Sequence, residues 1–465
     1  MYLKTTTPGV AALDPSLINR YDVRGPRYTS YPTAAQFKDD FGEAHLRAAM
    51  IDSNSPPVPA PLSLYVHIPF CEQLCFYCAC NKIITQDRAK AEDYLQLLIR
   101  ESALHAALLD NDREVRQLHL GGGSPTFFSD EQLDRLIDGL SQHFRMSGDQ
   151  PEWSIEIDPR TVTASRMRYL AQIGFNRVSF GIQDVNEAVQ VAVNRIQSLQ
   201  QIKDCIAAAR QAGMRSVSVD LIYGLPLQTV DSFSETLEIV RRMGPDRIAI
   251  YNYAHLPQRF KAQRLIPERY LPPAADKLAI QALISDRLNA AGYVHIGMDH
   301  YALPEDELMT ALDNGSLQRN FQGYSTHGGC ELIGLGVSAI SAIGNCYAQN
   351  ELRMSAYRER LNAGSIPTIR GLGLSEDDQI RAGVISQIMC RMRIDKSAFR
   401  HRFGVEFDDY FAVEARQLER MQNDGLLTAD DSGYRVTPVG RYFLRNIAMC
   451  FDRYNQPEQG FSKTL

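Results

Sequence analysis

The segment LSLYVHIPFCEQLCFYCACNKIIT, residues Leu62 to Thr85, decides how the rest of this chain is read. It joins an apolar, β-prone run, Leu62–Phe70, to four cysteines within ten residues: Cys71, Cys75, Cys78 and Cys80. With nine cysteines in 465 residues, chance would place well under one in such a window. Soft thiolates at short spacing suit an iron–sulfur cluster or zinc rather than a hard cation. Zinc ordinarily closes its tetrahedron with two separated cysteine pairs, or with cysteine and histidine together. No second C-x2-C pair and no His-x3-His follows. Three thiolates on one loop, C-x3-C-x2-C, suit a cubane cluster that leaves one iron open for chemistry.

Outward from Leu62, apolar β-prone runs recur at Gln117–Gly121, Trp153–Ile157, Arg177–Gly181, Ser216–Tyr223 and Asp246–Tyr253. Amphipathic helical stretches alternate with them at Asp87–Leu109, Asp130–Phe144, Ala188–Ala212, Val230–Met243 and Ala274–Ala291. This alternation implies an α/β fold with a parallel sheet and right-handed crossovers. Six clear repeats fall short of an eight-stranded barrel, since Tyr293–Tyr301 and Glu331–Ser341 are richer in glycine and less regular.

Residues 1–60 read as an irregular N-terminal extension with one short helix near Glu43–Asp52 and a stiff linker, Ser55–Pro61. Its stretch YDVRGPRYTSYPT, Tyr21–Thr33, carries three tyrosines and two arginines in thirteen residues. That is too aromatic for a disordered tail, so it is expected to pack as a lid on the strand–helix unit, residues 61–370. Residues 371–465 read as a C-terminal helical domain. Ser375 caps a helix to Met392, Val413–Asp424 is a second, and Gly425–Ile447 reads as strand, turn, strand, helix. That winged-helix-like order raises DNA binding, but residues 375–450 hold 11 basic against 12 acidic side chains with no basic helix face. A lid or packing module is the better reading.

Composition is ordinary for a soluble globular protein: 44% hydrophobic, 22% charged and a net charge of −6, which points to no nucleic-acid partner. The first residues lack the charged start and apolar run of a signal peptide, and Leu332–Gly344 is too short and glycine-rich for a membrane span. An odd cysteine count without a disulfide framework points to a reducing compartment, and the expectation is cytoplasmic. A monomer is expected.

In a parallel α/β barrel, function gathers at the carboxyl ends of the strands. The cysteine loop follows the first strand. The second ends in HLGGGSPT, whose glycines expose backbone and admit a close ligand. Glu156, alternating with Ile155 and Ile157, faces the opposite side from them. Gln183, Arg195, Asp220 and Ala254 follow at or near later strand ends.

With Tyr77 directly before the third cysteine, C-x3-C-x2-C resembles the radical S-adenosylmethionine (SAM) enzymes. The longer YVHIPFCxxxCxYCxC is similar to the oxygen-independent coproporphyrinogen III oxidases (coproporphyrinogen dehydrogenases), a likeness running from about Tyr21 to Phe451. The resemblance implies an open (β/α)6 partial barrel of radical SAM type and a [4Fe-4S] cluster on Cys71, Cys75 and Cys78 but not Cys80. It implies a first SAM held by Tyr65, Tyr77, Gly122, Gly123, Ser124, Glu156 and Ile340, and a second by Gln183, Arg195, Asp220 and Ala254. A 5′-deoxyadenosyl radical would then convert two propionates of coproporphyrinogen III to vinyl groups, giving protoporphyrinogen IX in haem biosynthesis. An electron donor and a final acceptor are required, and the sequence identifies neither. Rival readings within the superfamily are a haem chaperone and a haem-opening radical SAM methyltransferase. Arg24, Arg27 and Arg319 are candidate partners for the substrate's propionates.

Overall fold

The computed structural model describes residues 15–55, 58–146, 151–455 and 461–464. The expected first fourteen residues of the extension, and Pro56 and Pro57 of the linker, lie outside the described residues. Six parallel strands cross the middle of one sheet: β1 (Leu62–Ile68), β2 (Glu114–Gly122), β3 (Glu152–Ile157), β4 (Arg177–Gln183), β5 (Ser216–Tyr223) and β6 (Arg247–Asn252). Every expected strand is present. Period-two alternation divides their side chains. Leu64, Val66, Leu118, Leu120, Ile155, Phe180, Val219 and Ile248 are buried in the layer under the helices. The intervening Gln117, His119, Ser154, Glu156, Ser179, Asp220 and Tyr251 line the lumen.

The sheet extends past these six on both sides. At the β6 edge, β7 (Val294–Gly297) and β8 (His300–Ala302) add antiparallel. At the other edge, β9 (Glu331–Leu335) pairs parallel with β1, so the Glu331–Ser341 segment begins with a seventh parallel strand. Then β10 (Ile340–Ile343), β11 (Cys346–Asn350) and β12 (Thr368–Gly373) run antiparallel outward. The glycines that obscure this strand are close approaches: a Cβ on Gly334 would lie 2.5 Å from the Ile340 carbonyl oxygen.

The expected single helix Ala188–Ala212 is two, Glu187–Ala192 and Leu199–Gln211. Asn194 turns to φ +54° between them, and Asn186 and Ser198 each cap one helix with a side-chain oxygen. The break drops Arg195 at the mouth of the barrel. Ala164–Gln172, capped by Thr163, is a helix that the periodicity does not reveal.

After Gly373 the helix Glu376–Arg391 begins at Ser375, whose hydroxyl accepts from the Asp378 amide. Helices Lys396–Phe403, Ala415–Asn423 and Leu444–Met449 follow, with a small antiparallel sheet of β13 (Arg393–Asp395), β14 (Leu427–Asp430) and β15 (Gly433–Val436), ordered β13-β15-β14. Phe399, Phe407, Phe411, Phe443 and Phe451 fill their core.

The tyrosines of the N-terminal segment do not close over the barrel. Tyr21, Tyr28 and Tyr31 are buried in this C-terminal core. Tyr21 packs 5.3 Å from Phe443 and Tyr31 6.1 Å from Tyr454, while the Tyr28 hydroxyl donates to Asp452 at 2.9 Å. The reason is that the aromatic bodies find apolar partners there, while the Tyr21 and Tyr28 hydroxyls find carboxylates and the Tyr31 hydroxyl accepts from the Arg453 amide, which the polar lumen does not offer together. Arg445, 6% exposed, ties the segment down by donating to the carbonyls of Gly25, Pro26 and Lys463. Arg24 is spent on the Phe461 carbonyl. Arg27 reaches the barrel, donating to the Asn252 carbonyl at the carboxyl end of β6, and the Tyr31 carbonyl accepts from the Tyr347 hydroxyl on β11.

Candidate active site

The loop after β1 is pinned at both ends. Phe70 and Cys71 pair with Ile83 and Ile84, and the Phe76 amide donates to the Val193 carbonyl. Its four cysteines line a cavity of about 260 Å³ at the carboxyl ends of the strands. Tyr77, Gly122, Gly123, Ser124, Glu156, Gln183, Arg195 and Asp220 line the same cavity, so the fold gathers most of the expected residues. Tyr65, Ala254 and Ile340 do not line it. Tyr65 lies in the lumen, stacked 5.7 Å from His119 with its hydroxyl 3.1 Å from His67 Nδ1. Ala254 is held through its carbonyl by Gln263, which also donates to the Tyr77 carbonyl. Ile340 backs onto Gly334, the β9 partner of Tyr65.

The sulfurs meet polar donors at the mouth. Cys71 Sγ accepts from Ser124 Oγ at 3.8 Å, and Cys75 Sγ meets Arg195 Nη1 at 3.6 Å and Arg160 Nη2 at 3.8 Å. A hydrogen bond from Cys80, joined by Lys82, holds the Cys78 thiol below the usual thiol range despite burial. Thiolates with guanidinium and hydroxyl donors beside them suit the anionic charge of an iron–sulfur cluster on this loop.

The glycine turn after β2 permits close packing. Gly122 has φ +109°, and a Cβ on it would meet the His67 ring. Its amide donates to Glu156 Oε2 at 3.1 Å, and His119 Nε2 lies 3.2 Å from Oε1. Burial opposes ionisation of Glu156, but the His119 and Gly122 hydrogen bonds win, and its carboxyl stays below the ordinary range. Asp158, bonded to Arg160 at 2.7 Å and Arg195 at 3.2 Å, is likewise held low against its burial. The mouth thus presents fixed anions and cations to a zwitterion.

Asp220 behaves differently. Burial drives its pKa up to about 7, only partly offset by Ser179 Oγ donating at 2.9 Å. The native state therefore binds this proton more tightly than the unfolded chain does. Its contribution to stability is complete below about pH 4, the unfolded value, and is lost as pH rises towards 7. Asp220→Asn is neutral throughout and is expected to flatten the stability profile across that window. Urea midpoints at pH 5 and pH 8 read this directly, and a variant that keeps the wild-type difference contradicts it.

Sequence reasoning missed His67, His119, Asp158, Arg160 and Gln263. His67 and His119 share the inward parity of Tyr65 and Glu156, so alternation alone could have found them. Asp158 and Arg160 stand directly after β3. Gln263 sits in a short 3-10 helix, Lys261–Leu265, too brief to leave a periodic signal.

Comparison with known proteins adds independent findings. A family model described as the radical SAM superfamily matches residues 65–240, and one described as the HemN C-terminal domain matches residues 374–443. An oxygen-independent coproporphyrinogen III oxidase of Pseudomonas aeruginosa is 47% identical over 97% of this chain and 98% of its own. One of Escherichia coli is 45% identical over the same shares. The solved structure of coproporphyrinogen III oxidase (HemN) from Escherichia coli, described as a radical SAM enzyme, superposes with a TM-score of 0.89 at 45% identity, covering 95% of this chain and 99% of that one.

Proposed function

The chain belongs to the oxygen-independent coproporphyrinogen III oxidases, and from that premise we propose which of its residues carry the reaction. It is a radical SAM enzyme of haem biosynthesis that oxidatively decarboxylates two propionates of coproporphyrinogen III to vinyl groups. Near-full-length likeness to enzymes of that one name disfavours the chaperone and methyltransferase readings. The observation that carries the site assignment is the shared cavity of the cysteine loop, the glycine turn and Glu156.

Cys71, Cys75 and Cys78 hold a [4Fe-4S] cluster and Cys80 does not. When bound, the cluster and SAM supply one-electron, hydrogen-abstracting chemistry. Gly122, Gly123 and Ser124, with anionic Glu156, receive the amino end of a first SAM, and Tyr65, Tyr77 and Ile340 shape its surroundings. Gln183, Arg195 and Asp220, which share the cavity, receive a second SAM together with Ala254, just past the end of β6. Arg160 and Arg195 balance the anionic charge beside Cys75. Residues 1–60 form the extension, 61–370 the barrel unit and 371–465 the C-terminal unit. Separate electron-donor and acceptor partners meet a cytoplasmic monomer; no helix among the described residues is long and apolar enough to cross a membrane.

One anaerobic preparation tests these roles. The reconstituted protein, given reductant, SAM and coproporphyrinogen III, is expected to form vinyl products, and to bind two SAM per chain by equilibrium dialysis. Arg195→Ala should bind one. Because Arg195 also touches Cys75, iron content is measured alongside. One SAM per intact chain refutes the second site, and a failure to form vinyl groups refutes the activity.

A further inference from the structure

Below the mouth the barrel keeps a second cavity of about 130 Å³, too small for a tetrapyrrole ring and large enough for a side arm. Glu156, Ser179 and Asp220 line both cavities, so the two adjoin along the barrel axis with only these side chains between them. Most cations around this inner space are already matched. Arg177 pairs with Glu152 and Glu307, Arg247 with Asp306 at 2.8 Å, and Arg27 with Asp299 at 3.5 Å.

Arg319 is different. It stands on the hairpin of Gln318–Asn320 and Gly323–Ser325, directly across from Tyr324, with its guanidinium 4.9 Å from the centre of that ring. Among the described residues no carboxylate pairs with it, and its Nε and Nη1 are buried without a hydrogen-bond partner. Gln322 Nε2 and His300 Nδ1 are buried and unpartnered too. His300 packs 5.1 Å from Tyr324, and His300, Gln322 and Tyr324 all line the inner cavity. Burial, with Arg319 and Arg247 nearby, keeps the imidazole neutral, so one of its ring nitrogens carries a proton to donate. A buried donor without an acceptor is destabilising. Several in one place describe the complement of an anionic acceptor.

We propose that Arg319, with Gln322 and His300, binds one carboxylate arm of the tetrapyrrole inside the barrel while the ring sits at the mouth. This rests on the coproporphyrinogen reading of the site and deepens it. The guanidinium fork takes a carboxylate through two parallel N–H donors, and the Tyr324 face orients it. Anchoring one arm in the lumen fixes the depth and the rotation of the ring, and so selects which propionate lies under the cysteine loop.

Coproporphyrin III, the stable oxidised form of the substrate, and its tetramethyl ester serve as probes of binding to the reconstituted protein. Arg319→Gln is expected to bind the free acid about ten- to a hundredfold more weakly, with the ester unaffected and SAM binding and iron content kept. Arg319→Lys should restore part of the loss. Unchanged affinity for the free acid, or equal losses for acid and ester, overturns the proposal. Should Arg319→Gln lose iron or melt early, Gln322→Leu replaces it: a wild-type affinity for the acid in that variant overturns the proposal equally. Wild-type vinyl formation alongside an indifferent Arg319→Gln rejects this anchor alone, whereas absent wild-type turnover rejects the functional reading beneath it.

Discussion

Cys71→Ala, Cys75→Ala and Cys78→Ala are each expected to abolish vinyl formation and to lose the iron and the cubane absorbance after anaerobic reconstitution. Each removes one of three thiolates on a loop whose ends are fixed by the Phe70–Ile83 pairing and the Val193 carbonyl. No other described cysteine lines that cavity except Cys80. Cys80→Ala is expected to keep its iron and to turn over slowly. Cys80 is exposed and donates towards Cys78, so its loss removes a hydrogen bond to a ligand and leaves the ligand. A full cluster in any of the first three variants defeats the assignment, as does an iron-free Cys80→Ala.

Deleting residues 1–33 is expected to lower the thermal midpoint sharply and to impair SAM cleavage and decarboxylation together. The deletion strips Tyr21, Tyr28 and Tyr31 from the C-terminal core. At about 1.5–3 kcal/mol for each large buried side chain, the loss is roughly 5 kcal/mol or more. That is comparable with the entire stability of a typical domain, about 5–15 kcal/mol. Arg445 would also lose the Gly25 and Pro26 carbonyls that satisfy it in a buried position. Calorimetry and the two activity assays decide the matter. A truncated enzyme that melts like the wild type and loses decarboxylation alone would show that the segment is a lid.

How far the sequence could be read depended on the kind of order involved. Strand repeats and caps are local, so β1 to β6 and the Ser375 helix start were visible in residue patterns, and Glu156 announced itself by its parity. Strand β9 was hidden because Gly334 makes room for the Ile340 backbone and Gly336, just beyond the strand, for the His67 carbonyl, and a glycine reads as irregularity when its reason is a tertiary contact. The split at Asn194 had cap residues on both sides, Asn186 and Ser198, but the helical period ran across them. The destination of the tyrosines was illegible for a related reason. Their polarity and aromaticity showed that they pack, while the choice between barrel and C-terminal core depended on Asp424, Asp452 and Phe443, more than 400 residues away.

That distance also orders events in time. Arg24 bridges to Lys463 and bonds to the Phe461 carbonyl 437 residues further on. At about 5–20 residues per second, the ribosome releases the second half of this clasp roughly 20 to 90 seconds after the first. Strands β1 to β6 are synthesised well before then, while the core that takes Tyr21, Tyr28 and Tyr31 is still unmade. Burial of these three rings is therefore a late step, one that has to wait for the last residues of the C-terminal unit.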